Sequence, residues 1–167
     1  MHSLSLTWLC LVALLSPLAM AIAQTQNKDS DAQILAILQS QTEAWNRGDG
    51  EAFGAHFAED GSFTNVVGQQ TYGRPAFVAQ HVHIFNTIYK GSHGSFTAGR
   101  IKYLRPDVAL VDIDGVVTGA IQLPPGLKAA SDGGIHVKLQ EVMTKENGQW
   151  WIASFHNVAV YPLPQHP

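Results

Sequence analysis

One change of rhythm constrains this chain more than any motif. Before Gly91–Gly94 the apolar residues recur at helical spacing. After it they alternate every second residue through Phe96–Leu104, Val108–Thr118, Ile135–Thr144 and Trp150–Val160. Helices first and long strands afterwards is the α+β pattern. The strand connections are Arg105-Pro106-Asp107, a longer Leu123–Gly134 loop and Glu146-Asn147-Gly148, which imply an antiparallel sheet. A sheet of that kind curling around helices leaves a conical cavity.

The helical half can be divided by its caps. Ser30-Asp31-Ala32-Gln33 fits a capping box, which predicts a first helix beginning at Ser30. Ile34, Leu38, Gln41 and Trp45 fall on one stripe of it, and Gly48 is the expected stop. Asp49 can cap a second helix ending near His56 or Phe57, and Glu59-Asp60-Gly61 reads as a turn before a strand from Ser62 to Val67. Gly68-Gln69-Gln70 turns into a short strand ending at Tyr72. Arg74-Pro75 opens a third helix whose broad apolar face carries Phe77, Val78, His81, Val82, Ile84, Phe85 and Ile88.

Leu4 to Met20 is almost wholly apolar, and Ala21-Ile22-Ala23 is a small-x-small cleavage pattern. Residues 1–23 are therefore expected to be a signal peptide, with export to the periplasm or medium and no stable membrane span after processing. A polar lead-in (24–29), one domain (30–160) and a proline-rich tail (161–167) follow. The only cysteine, Cys10, lies in the leader, so the mature domain has no thiol chemistry and no disulfide. Net charge is −3 and no basic stripe is present, which excludes an electrostatic case for nucleic acid. No histidine spacing favours a metal, and no glycine-rich phosphate loop or nucleophile elbow occurs, so no cofactor is expected.

Polar groups on apolar faces are the candidates for chemistry. Gln41 interrupts the stripe of the first helix, where a buried amide needs a partner. His81 sits mid-face on the third helix and could move protons near neutral pH. On the last strand Trp150 and Ile152 look like the core set, which would carry Ser154 and His156 inward. Trp151 and Phe155 would then lie outside, as a subunit interface. Asn65 shares a face with Phe63 and can hydrogen-bond but not act as a base. His136, Lys138 and Gln140 share one face of their strand, as Asp112 and Asp114 do of theirs, as on a half-solvated sheet.

Ala44-Trp45-Asn46-Arg47-Gly48-Asp49, Phe57-Ala58-Glu59-Asp60 and Phe63-Thr64-Asn65-Val66 resemble the nuclear-transport-factor-2-like superfamily in its SnoaL-like branch. Gly73-Arg74 followed by His81 and Phe85, Tyr103 to Leu110, and Trp151-Ile152-Ala153-Ser154-Phe155-His156-Asn157 narrow the likeness to SgcJ/EcaC-type proteins, a group carrying an oxidoreductase name. The resemblance spans Asp29 to about Asn157. It implies a cone of three helices on a strongly curved, mixed, mostly antiparallel sheet, a cavity for small apolar molecules, and a homodimer through the sheet. It also sets Asn65 at the catalytic aspartate position of ketosteroid isomerases and Gln41 at their oxyanion-hole tyrosine position, which removes that mechanism as it stands.

The expected function is accordingly acid/base chemistry of isomerase, cyclase or dehydratase type on a small carbonyl or hydroxy compound. His81 or His156 would move the proton, Gln41 and Asn65 would orient the substrate, and Trp45, Phe63 and Phe85 would form the walls. A non-catalytic ligand binder and a dimeric interaction module are the alternatives.

Overall fold

The computed structural model describes residues 17–161. Helix α1 (Pro17–Arg47) is followed by α2 (Gly50–Phe53), β1 (Phe57–Thr64), β2 (Gln70–Tyr72), α3 (Arg74–Asn86), β3 (His93–Arg105), β4 (Val108–Thr118), β5 (Ile135–Glu146) and β6 (Gln149–Ala159). The strands form one six-stranded sheet in the order β2-β1-β6-β5-β4-β3. Only β1 and β6 pair in parallel, so the α+β cone with a mixed sheet expected from the sequence is what forms. Most of the proposed leader, residues 1–16, and most of the tail, residues 162–167, lie outside the described residues. Among those described, no helix is long and apolar enough to cross a membrane.

Helix α1 begins earlier than the capping box implies. Nothing between Gln24 and Asp29 breaks a helix, so the turn continues through Ser30, which is buried inside the helix and receives a hydrogen bond from Lys145 Nζ at 3.5 Å. The buried stripe is Ile34, Ile37, Leu38, Gln41, Ala44 and Trp45, and it ends at Gly48 with φ +67°. Asp49 caps α2 as expected, its Oδ1 accepting from Ala52 N at 3.0 Å, but α2 stops at Phe53. Asn46 ties α1 to β3: its side chain donates to Gly94 O at 3.0 Å and accepts from Gly94 N at 2.8 Å.

Strand β1 also starts early, at Phe57, and the expected Glu59–Gly61 turn lies within it as an irregularity in its pairing with β6. Gly61 permits this, because a Cβ there would come within 2.7 Å of the Phe57 ring and 3.1 Å of Ile152 O. In α3, Phe77, His81 and Phe85 are buried on successive turns, Phe77 against Phe57 and Phe63 of β1 and Phe85 against Trp45 of α1. The β5–β6 hairpin closes through Asn147 (φ +50°) and Gly148 (φ +83°), the conformation that an Asn-Gly turn supplies.

The β6 expectation needs a correction. Val142 pairs with Ser154 while Met143 pairs with Ile152, so Ala153 is an extra residue on β6, a β-bulge. The bulge reverses which side chains face inward. Trp150 and Ile152 are buried before it, Phe155 is buried after it at 4 % exposure, and His156 faces out. Phe155 is thus core and not interface. Trp151 is half-buried beneath the Arg74 guanidinium, which stands 4.9 Å from the centre of its ring.

Candidate functional site

A cavity of about 500 Å³ opens between α1, α3, the β1–β2 turn and the β4–β5 loop. Its walls are Trp45, Phe63, Ile84, Ile88 and Tyr89, with Leu123 to Pro125 of the β4–β5 loop at the rim. A deeper chamber of about 40 Å³ continues from it, still bordered by Trp45, Phe63, His81 and Asn157. Beyond Phe53, Phe96, Leu139 and Phe155 lies a void of about 10 Å³ that reaches Gln41 and Glu141.

His81 is 3 % exposed, and its ring packs against those of Phe53 and Phe77 at 4.5 and 4.2 Å. Its Nδ1 lies 2.8 Å from Phe77 O, one turn back along α3. Because a carbonyl only accepts, the proton of the neutral ring sits on Nδ1 and Nε2 keeps its lone pair. Burial disfavours the charged form and pulls the imidazole down to about 4, with the bond to Phe77 opposing weakly.

Trp45 is the hub of the aromatic wall, with Phe85, Tyr89, Phe96 and Phe53 at ring distances of 4.9, 5.3, 5.5 and 5.8 Å. Its Nε1 donates to Ser92 Oγ at 3.1 Å. Phe63 lines the cavity as expected, whereas Phe85 packs behind Trp45 and lines none of the three chambers. Burial pushes the Tyr89 hydroxyl up to about 12, so it keeps its proton.

Asn65 borders the mouth, but its amide is committed to the β1–β2 turn. Oδ1 accepts from Val67 N and Gln69 N at 3.1 and 2.9 Å, and Nδ2 donates to Gln69 Oε1. The inward amide is Asn157, which the bulge at Ala153 rotates toward the cavity. Its Oδ1 is buried and has no hydrogen-bond partner among the described residues. The spacing from Ile152 to Phe155, three where alternation needs two, was the sequence signal for that bulge.

Gln41 does point inward, and its partner is Glu141. Gln41 Nε2 donates to Glu141 Oε1 at 3.3 Å, with the two residues 3 % and 2 % exposed, while Gln41 Oε1 has no partner among the described residues. Burial pushes the Glu141 carboxyl up to about 7, and the bond from Gln41 opposes this weakly. The sequence showed Glu141 in one way: it is the single charged residue in the inward series Ile135, Val137, Leu139, Glu141, Met143.

His156 belongs to the opposite side of the sheet. There a groove of about 550 Å³ is bordered by Asp112, Asp114, Lys138, Gln140 and Val158. Those groups satisfy one another: Gln140 donates to Asp112 at 2.8 Å, Arg100 pairs with Asp112 at 3.2 Å, and Lys138 pairs with Asp114. No group of three His, Cys, Asp or Glu suited to a metal ion occurs among the described residues.

Residues 38–153 match the SnoaL-like domain. No curated protein matches the chain. A protein with a cystatin-like fold from Caulobacter vibrioides is similar at 27 % identity, covering 80 % of this chain and 92 % of its own, with a TM-score of 0.68. A ketosteroid isomerase-like protein from Erwinia carotovora atroseptica (17 % identity, 78 % and 96 % covered, TM-score 0.60) shares the fold. So does a hexachlorocyclohexane dehydrochlorinase, LinA type 2 (14 % identity, 86 % and 95 % covered, TM-score 0.68). With the cone, its cavity and a domain match over more than half its length, the chain belongs to the SnoaL-like domain family of the nuclear-transport-factor-2-like superfamily.

Proposed function

We propose that this protein is a cavity enzyme that moves a proton on a small apolar carbonyl or hydroxy compound. The observation that carries the proposal is His81: a neutral imidazole, its proton fixed on Nδ1 by Phe77 O, bordering a cavity of aromatic, aliphatic and amide side chains with no other ionisable group besides Tyr89. Nε2 is the base, and Trp45 and Phe63 hold the apolar body of the substrate. Glu141 and Gln41 form a polar floor one aromatic layer deeper. Burial displaces His81 and Glu141 in opposite directions, so between about pH 4 and 7 the imidazole is free to accept a proton and the carboxyl holds one. One fold neighbour is named a dehydrochlorinase and another isomerase-like, which supports chemistry of this kind in this architecture. The SgcJ/EcaC placement, export after loss of residues 1–23, and pairing of two copies through the outer sheet face are parts of the same proposal. They are supported by the sequence motifs.

A non-catalytic binder is favoured by one observation, the depression of His81 to about 4, which weakens it as a base. Proton NMR in heavy water separates the two. The chain is incubated with a panel of small apolar ketones and alcohols, and carbon-bound deuterium and product are followed. An enzyme gives exchange or conversion that His81→Phe removes. Binding without either, in the native chain, contradicts the enzyme.

A further inference from the structure

The following inference rests on the cavity proposal and narrows it to a substrate class. His81 and Asn157 both border the mouth and the deeper chamber. His81 Nδ1 spends its proton on Phe77 O at 2.8 Å, so Nε2 can only accept. Asn157 Oδ1 is buried with no partner among the described residues, an unfavourable state that a donor would relieve. The indole N–H of Trp45 is given to Ser92 Oγ at 3.1 Å, and Ser92 lines neither chamber, so this donor is directed away from a ligand. The Tyr89 hydroxyl can donate or accept and so does not discriminate. Around these groups the wall of the deeper chamber is aromatic and aliphatic, and the amides of Gln80 and Gln122 border only the outer cavity.

We propose that the ligand of this cavity is a hydrogen-bond donor: a small apolar, ring-sized molecule whose hydroxyl or N–H donates to His81 Nε2 or to Asn157 Oδ1. A carbonyl or ether of the same shape brings only another acceptor and leaves both lone pairs unmatched. A site built to hydrogen-bond a donor rejects the analogue that lacks one, because the buried acceptors then stay unpaired. In the proton-transfer reaction, that hydroxyl or N–H proton is the one within reach of Nε2.

The test compares three probes of one shape by calorimetry: 2-naphthol, 2-methoxynaphthalene and 2-naphthaldehyde, each titrated into the native chain, His81→Phe and Asn157→Leu. The naphthol is expected to bind at least about tenfold more tightly than either acceptor-only probe. That preference should fall to about threefold or less in each variant. Phe keeps the ring that the aromatic neighbours of His81 require, and if it failed to fold, Asn157→Leu would carry the comparison alone. Equal affinities, or tighter binding of the aldehyde, would overturn the donor inference while leaving the cavity proposal standing. Failure of all three probes to bind would overturn both.

Discussion

Gln41 on α1 and Glu141 on β5 meet inside the core, amide nitrogen to carboxyl oxygen at 3.3 Å, across 100 residues of chain. This contact joins the helical half to the sheet half, and the burial of Glu141 there sets a pH behaviour that exposed carboxylates do not show. A carboxyl raised to about 7 holds its proton in the native state while the unfolded chain, near 4.5, has lost it. Native protein therefore binds the extra proton, and stability from this group falls as pH rises from about 4.5 to about 7. His81 does the reverse. The unfolded imidazole at 6.5 binds a proton that the native one at about 4 refuses, so its contribution rises over that window.

The two slopes oppose each other between about pH 4.5 and 6.5, each worth about 3 kcal/mol over its full range. Glu141→Gln is predicted to leave the His81 slope uncovered, so that the variant, relative to the native chain, gains stability as pH rises from 4.5 to 7. His81→Phe should show the opposite difference. Urea unfolding at several pH values measures both. Parallel pH profiles for native and variant would refute the assignment.

The bulge at Ala153 makes neighbouring residues on β6 very unequal. Phe155→Ala is expected to cost about 3–5 kcal/mol, since it empties a core position beside Phe63 and Phe77. His156→Ala, on the outer face, should change stability by no more than about 0.5 kcal/mol. Thermal and urea midpoints of the two variants decide the phase of the strand, and a reversed order would place His156 inside.

Gly50 marks the closest approach of α2 to α3. A Cβ there would stand 2.4 Å from Val82 N, a backbone atom that cannot step aside. Gly50→Ala should destabilise by about 1–3 kcal/mol through overpacking and shift the Val82 backbone amide resonance. A neutral substitution would show that α2 can slide.

Removal of the Ser92 hydroxyl tests the aromatic hub. Ser92→Ala leaves the Trp45 indole N–H without its acceptor in a buried place, at a cost of about 1–3 kcal/mol. Urea unfolding measures the loss, and unchanged stability would contradict the Trp45–Ser92 bond.

Much of this was legible along the chain because local rules govern it. Pro75 starts α3, Gly48 stops α1, Asn147-Gly148 turns the last hairpin, and Phe77, His81 and Phe85 share a face by spacing alone. The misplaced residues depended on pairing across the sheet. His156 and Phe155 exchanged sides because of one extra residue opposite β5, and Asn65 was drawn into a turn by Gln69. Phe85 fell behind Trp45, which only the packing of α1 on α3 decides. Glu141 stood in an apolar alternation, but its significance came from Gln41, a partner no local window contains.

The most direct measurement of the central claim is a nitrogen-15 NMR titration of the histidine rings in the native chain. His81 is predicted to stay neutral, with its proton on Nδ1 and a bare Nε2, until the pH falls to about 4. A ring that titrates near 6.5, or one that carries its neutral proton on Nε2, would contradict the account.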